Sequence, residues 1–125
     1  MIDALFNQPN YVATKKMLDV TVLRQDAIAS NLSNLETPNY KRVDVAPSFE
    51  AQLSQAVKSG DPNQIANLQP RLAVDTNAIA GRSDGNTVSL EDELLKLNQN
   101  TFEDAMETQL ISGSLAKMRL AITGH

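Results

Sequence analysis

The 125-residue sequence contains no cysteine. That removes disulfides, thiolate metal sites and cysteine nucleophiles together, and leaves the redox compartment open. Tryptophan is also missing, and aromatic residues make up 4% of a chain that is 42% hydrophobic. Any core is therefore aliphatic and modest, on the scale of one domain. The single histidine, His125, follows Gly124 at the last position, where a solvated tail is expected. With one imidazole and no thiol, neither a zinc site nor a serine triad has a donor set. No glycine-rich phosphate loop is present, and no apolar run approaches the ~20 residues that span a bilayer. Met1-Ile2-Asp3-Ala4-Leu5-Phe6 lacks the basic start and continuous apolar run of a cleaved secretory signal, so ordinary secretion is not expected. Basic clusters are missing too. Residues 1–60 carry six acids and six bases, residues 61–125 nine acids and five bases, and the net charge is −4. Nucleic acid is a poor partner for such a balance, because phosphate binding draws on clustered Lys and Arg.

The carboxylates that are present do not form an obvious catalytic set. Glu91, Asp92, Glu93, Glu103, Asp104 and Glu107 read as a solvated helix face and a complement to the helix dipole, not as an acid/base pair. Asp75-Thr76-Asn77 starts like a calcium loop, but its sixth position is Ala80 and its twelfth Asn86, where glycine and glutamate are required. Asn31-Leu32-Ser33 fits the glycosylation pattern inside a predicted helix, as chance would place it. No cofactor, metal, small-molecule substrate or enzymatic reaction is expected.

What the sequence does have is two long helical patterns at its ends. Pro9 suits a first helical turn. From there Leu18, Thr21, Gln25, Ile28, Leu32 and Leu35 follow steps of three and four, which define a seam for a partner helix. Thr37-Pro38 closes that helix, since proline has no N–H to donate and pushes the residue before it toward extended geometry. With Pro38 and Asn39 at the centre of a turn, Asn39 is expected in the left-handed conformation, with Tyr40 leaving at a fixed angle. Tyr40 to Val45 alternates as a short extended segment, and Ser48, a candidate cap, starts a helix with Phe49, Leu53 and Val57 on one face. From Gly60 to Thr87 only Arg71-Leu72-Ala73-Val74 hints at a strand. A loop of about 27 residues points to a mobile or partner-ordered segment. Ser83-Asp84-Gly85-Asn86 is a turn signal before the last helix. That helix is capped by Ser89 and runs without a proline anywhere. Its seam is Leu94, Leu97, Thr101, Ala105, Thr108, Ile111, Leu115, Met118 and Ile122, over roughly nine turns.

The expected fold class is mainly α: one domain over residues 1–125, with an N-terminal helix (1–36), a hinge and loop region (37–87) holding a short helix and little strand, and a C-terminal helix (88–123). The two long helices are expected to pair as an antiparallel, coiled-coil-like hairpin with the middle looped out. Two helices cover little of each other, so the monomer is expected to be marginal and the assembly ordered.

Ala29-Ser30-Asn31-Leu32-Ser33-Asn34-Leu35-Glu36-Thr37-Pro38-Asn39-Tyr40-Lys41 closely resembles the N-terminal signature of the bacterial flagellar rod and hook protein family, with Asn39 where glycine is frequent. Asp84-Gly85-Asn86-Thr87-Val88-Ser89-Leu90-Glu91-Asp92-Glu93-Leu94 is similar to the segment leading into that family's last helix. The short length resembles a proximal rod component. The resemblance implies a non-catalytic axial subunit that polymerises into the rod of the flagellar basal body, in the periplasmic space. Implied partners are copies of itself, other rod proteins, the membrane-ring protein, the rod adaptor protein and the type III export apparatus, with export needing no cleaved signal. It also implies an assembly hinge of Asn31, Asn34, Thr37, Pro38, Asn39, Tyr40 and Lys41, where an axial helix turns outward. The alternatives are another short proximal rod protein, or a cytosolic coiled-coil adaptor or export chaperone, for which the hinge would be unnecessary.

Overall fold

The computed structural model describes residues 9–124. The readings of Met1 to Phe6 and of His125, and the seam position of the Met118 side chain, lie outside the described residues. In order, the elements are α1 (Pro9–Ser33), β1 (Val43–Val45), α2 (Ser48–Ser59), α3 (Pro62–Ala66), β2 (Leu72–Val74) and α4 (Leu90–Thr123). At 1.5 Å per residue α1 is ~37 Å long and α4 ~51 Å. They run antiparallel: Asn31 meets Glu93, and ten residues earlier the Thr21 carbonyl accepts from Asn100 Nδ2 at 2.8 Å. The mainly helical hairpin is as expected.

Each helix ends for a local reason. Ser89 Oγ accepts the Asp92 N–H at 3.5 Å, and three acids occupy the positive first turn of α4. At its other end Gly124 adopts φ +73° and returns its N–H to the Leu120 carbonyl. α1 stops three residues before the anticipated Glu36, because Asn34 turns its side-chain amide onto the Ser30 carbonyl at 2.9 Å and the following N–H groups tighten into turns. Leu35 therefore lies in the turn and not on the helix seam. Ser48 is not a cap: α2 starts one residue earlier than a Ser48 cap would set it, with Pro47 in that position and no side-chain hydrogen bond there.

The middle of the chain is not looped out. β1 and β2 form an antiparallel pair in the register Val43↔Val74, Asp44↔Ala73 and Val45↔Leu72. Asp61 caps α3 by accepting the Asn63 N–H. α2 and α3 fold back onto α1, so that Phe49, Leu53, Ala56 and Ile65 close a small core with Val20 and Val45. The expected mobile segment is thus tied down by strand pairing and by Ile65, which is fully buried. The reason is amphipathic spacing: Phe49, Leu53 and Ala56 share one face of α2, and a two-helix hairpin alone would leave that face wet.

Candidate assembly site

Two features stand out from this scaffold: a polar clasp at the hinge, and a last helix that packs with its polar side inward.

The hinge begins where the Pro38–Asn39 turn reverses the chain. Asn39 takes φ +59°, and the Tyr40 N–H donates to the Thr37 carbonyl at 3.3 Å. The chain does not leave outward from this turn. It doubles back along α1, because Asn31 reaches across and pairs with β1 as a strand would: Asn31 Oδ1 accepts the Val43 N–H and Asn31 Nδ2 donates to the Val43 carbonyl, both at 2.9 Å. Tyr40 turns inward as well. Its hydroxyl donates to Asn31 Oδ1 at 3.1 Å and sits 3.0 Å from the Ser30 hydroxyl. Asn31 is fully buried, Asn34 and Tyr40 are half-buried, and Thr37, Pro38, Asn39 and Lys41 are exposed.

Residues 82–88 close over the hinge. Buried Asn86 presents its side-chain amide to the carbonyls of Asn34, Leu35 and Thr37 at 2.9, 3.2 and 2.8 Å, satisfying acceptors that the end of α1 leaves open. The Asp84 carbonyl accepts the Asn39 N–H, the Tyr40 carbonyl accepts the Thr87 N–H, and Thr87 Oγ1 accepts the Arg42 N–H. Gly85, at φ +80°, touches the turn so closely that a Cβ there would lie 2.4 Å from Asn39 Oδ1. Arg82 binds the Leu35 carbonyl and Glu36, and Lys41 Nζ donates to the Gly85 carbonyl at 2.8 Å.

Beneath the clasp lies Arg42, 5% exposed. Its Nε donates to Glu93 at 2.7 Å, Nη1 to Asp75 at 2.5 Å, and Nη1 and Nη2 to Asp44 at 3.3 Å. Burial works most strongly against the guanidinium charge, but the hydrogen bonds to Glu93 and Asp75 outweigh it and hold the group above its ordinary value. Burial likewise disfavours the Asp75 carboxylate, yet Arg42 and the Asn77 N–H bring its pKa below the usual range. The polar groups of this cluster are bound to one another, an arrangement that fixes shape and offers no free nucleophile. Among the described residues no group of three or more His, Cys, Asp or Glu side chains could hold a metal ion, and no helix is long and apolar enough to cross a membrane.

α4 corrects the expected pairing of seams. The face against α1 carries Glu93, Asn100 and Glu107, seven residues apart and all buried, and half-buried Ser114 continues the spacing. Arg24 of α1 bridges to Glu103 at 3.2 Å. Asn100 Oδ1 and Glu107 Oε2 are buried without a partner. Burial and the neighbouring Glu103 charge raise the Glu107 pKa. In contrast, Leu94, Thr101, Ala105, Thr108, Leu115 and Ile122 are exposed, and Leu97 and Ile111 half-buried. The α1 seam fits better: Ile28 is buried, and Leu18 and Leu32 are half-buried. A second stripe on α4, Leu95, Phe102, Met106 and Leu120, falls within roughly 40° on a 3.6-residue helix and faces away from α1. All four residues are exposed, Phe102 by 68%.

Sequence reasoning did not single out Arg42, Asn86 or Thr87 as site residues, and it placed Glu93 and Glu107 in solvent. The polar repeat at 93, 100, 107 and 114 was the available signal.

Comparison with known proteins places this geometry. The pattern of the family described as "Flagella basal body rod protein" matches residues 22–41, the end of α1 and the whole turn. The chain is similar to the "Flagellar basal body rod protein FlgB" of Aquifex aeolicus, at 31% identity over 114 residues covering 89% of this chain and 90% of that protein. It is 27% identical to the Borrelia hermsii protein of the same description, over 86% of this chain and 90% of the relative. With the Buchnera aphidicola protein it shares 24% identity over 96% of this chain and the relative's full length. The relatives align over most of the chain, and the chain belongs to the flagellar basal body rod protein family, as a structural subunit of the rod.

Proposed function

We propose that the chain polymerises into the axial drive shaft near the inner-membrane ring. Its neighbours there are copies of itself, other rod proteins, the membrane-ring protein and the rod adaptor protein. It reaches the periplasmic rod through the flagellar type III export apparatus without a cleaved signal. The observation that carries this reading is the orientation of α4, whose polar side faces its own α1 while its apolar stripes face out. A helix in a finished monomer buries its apolar side. One that does the reverse gains when neighbours cover it.

The magnitudes fit a polymer. Covering ~300 Å² of apolar surface contributes roughly 7 kcal/mol. Association itself costs about 4–15 kcal/mol, so one such contact is weak and several around a subunit are strong. In this reading Leu94, Leu97, Thr101, Ala105, Thr108, Ile111, Leu115 and Ile122 line the inner layer of the rod. The hinge residues Asn31, Asn34, Thr37, Pro38, Tyr40 and Lys41 hold the bend against which a neighbour packs. The small core centred on Phe49 and Ile65 supports passage through a narrow channel, since little burial must be undone. The test is location. The chain should be recovered in purified basal bodies of a flagellated cell, and finding it only in the soluble cytosol would overturn the proposal.

A further inference from the structure

We propose that the groove at the hinge end of the molecule is a docking site for the C-terminal end of α4 of a second copy, giving a head-to-tail contact. The inference deepens the rod-subunit reading and rests on it for the presence of neighbouring copies. The groove holds about 620 Å³ and is lined by Leu35, Glu36, Ile79, Leu90, Glu91 and Asp92 among others. Ile79 is 87% exposed and Leu90 47%. Arg82 also lines it, but that guanidinium is already engaged by Glu36, the Leu35 carbonyl and Asp84. The carboxylates of Glu91 and Asp92 have no ion-pair partner among the described residues. The groove therefore combines apolar side chains with polar ones, Thr87, Ser89 and the engaged Arg82, under an acidic rim.

The opposite end of α4 is its complement. Residues 108–124 contain Lys117 and Arg119 and no acid, and they expose Leu115, Leu120 and Ile122. The chain cannot fill its own groove with this end, because the two lie at opposite ends of the 34-residue α4, ~51 Å long. A contact between two different patches is heterologous. It repeats with every added copy, and it builds an open row unless rotation closes it.

The experiment is sedimentation velocity on the purified full-length chain, up to millimolar concentration, at low and high salt. Expected is salt-sensitive, open-ended association, weakened about tenfold when Glu91→Lys and Asp92→Lys reverse the rim, and recovered when Lys117→Glu and Arg119→Glu are added to the same chain. Because lysine at a helix start also disfavours the helix, Glu91→Gln with Asp92→Asn serves as a milder pair and should weaken association less. Circular dichroism of every variant establishes that it is folded. A mixture of Ile79→Cys and Ile122→Cys chains should form disulfide-linked pairs of one of each. Folded wild-type chain that stays monomeric at millimolar concentration, association unmoved by the rim variants, or no recovery in the swapped chain would overturn the docking. Glu91→Lys, Asp92→Lys chains entering basal bodies at the wild-type level would overturn the docking alone. Wild-type chain absent from basal bodies would overturn the rod reading instead.

Discussion

Arg42 and Glu93 stand 51 positions apart in sequence and meet at 2.7 Å in the interior, Glu93 fully buried and Arg42 nearly so. This pair joins the chain just after the hinge to the first turn of α4. Its two sides are unequal in consequence. Removing Arg42 strands the buried Glu93 carboxylate, and removing Glu93 takes from Arg42 its one fully buried counter-charge, each at about 3–5 kcal/mol. Replacing both with apolar groups removes that desolvation and leaves only the partly exposed Asp44 and Asp75 without the guanidinium. Glu93→Ala or Arg42→Ala should therefore abolish a cooperative urea transition or shift it strongly down, and Arg42→Met with Glu93→Leu should restore much of the loss. Equal destabilisation by single and double variants would show that the pair is not the organising contact.

Asn86 closes the end of α1 through three carbonyls, and Gly85 gives it room to approach. Asn86→Ala leaves those acceptors to water or unsatisfied, a loss of about 1–3 kcal/mol. Gly85→Ala forces both a positive φ and a clash with Asn39, and should cost at least as much. Asn39→Gly, by contrast, keeps the left-handed turn and should be close to neutral. Denaturant titration ranks the three. Hydrogen exchange should show Asn86→Ala and Gly85→Ala losing protection first at Asn39 and Thr87, whose N–H groups cross the clasp. Unchanged protection there would remove the clasp from the account.

Glu107 opposes folding at neutral pH. Burial raises its folded-state pKa above the ordinary 4.5, so the native state holds its proton more tightly than the unfolded chain does. Its contribution is unfavourable above the folded pKa and is relieved as pH falls from there toward 4.5. Asp75 has the opposite sign: its pKa is lowered, so its stabilisation is present above 3.8 and is lost as pH falls below that ordinary value. Glu107→Gln should raise stability at pH 7 and flatten the rise seen on mild acidification. A variant that is less stable at pH 7 would show that the Thr21 hydrogen bond to the carboxylate outweighs the cost of its burial.

How much of this was legible depends on where each residue's partner lies. Ser89 caps a helix with residues beside it in sequence, and the Pro38–Asn39 turn is set by its own two residues, so both could be read directly. The strand hint at 71–74 was visible, but its pairing with β1 was not, because register is decided by the whole fold. The clasp failed to show for the same reason: nothing near Arg42 announces Glu93. α4 misled more instructively. A leucine-rich seam is expected at the inner contact because monomers bury apolar faces, whereas this helix exposes most of that seam, keeps only Leu97 and Ile111 half-buried, and places Glu93, Asn100 and Glu107 within. In the proposed rod another subunit supplies the cover, and that is where the rule fails.

Phe102 lies on the outer stripe and touches solvent over most of its surface. Phe102→Glu should leave monomer stability within about 0.5 kcal/mol, since it removes little native burial. It should nonetheless reduce incorporation into basal bodies sharply, because a carboxylate would be buried unpaired at a subunit contact. Export should continue, so the variant accumulates outside the cytoplasm without rods. A destabilised monomer would mean that Phe102 serves the fold of the single chain.

The claim that the outer stripes of α4 become covered on assembly has a direct test in a chain that lacks cysteine. Phe102→Cys and Met106→Cys chains are labelled with a maleimide as free protein and within purified basal bodies, with Gln55→Cys on the exposed side of α2 as the control. The account predicts rapid labelling at both α4 positions in the free chain and strong protection in the rod, while the control reacts in both. Equal labelling of Phe102→Cys and Met106→Cys in the free chain and in intact rods would contradict it.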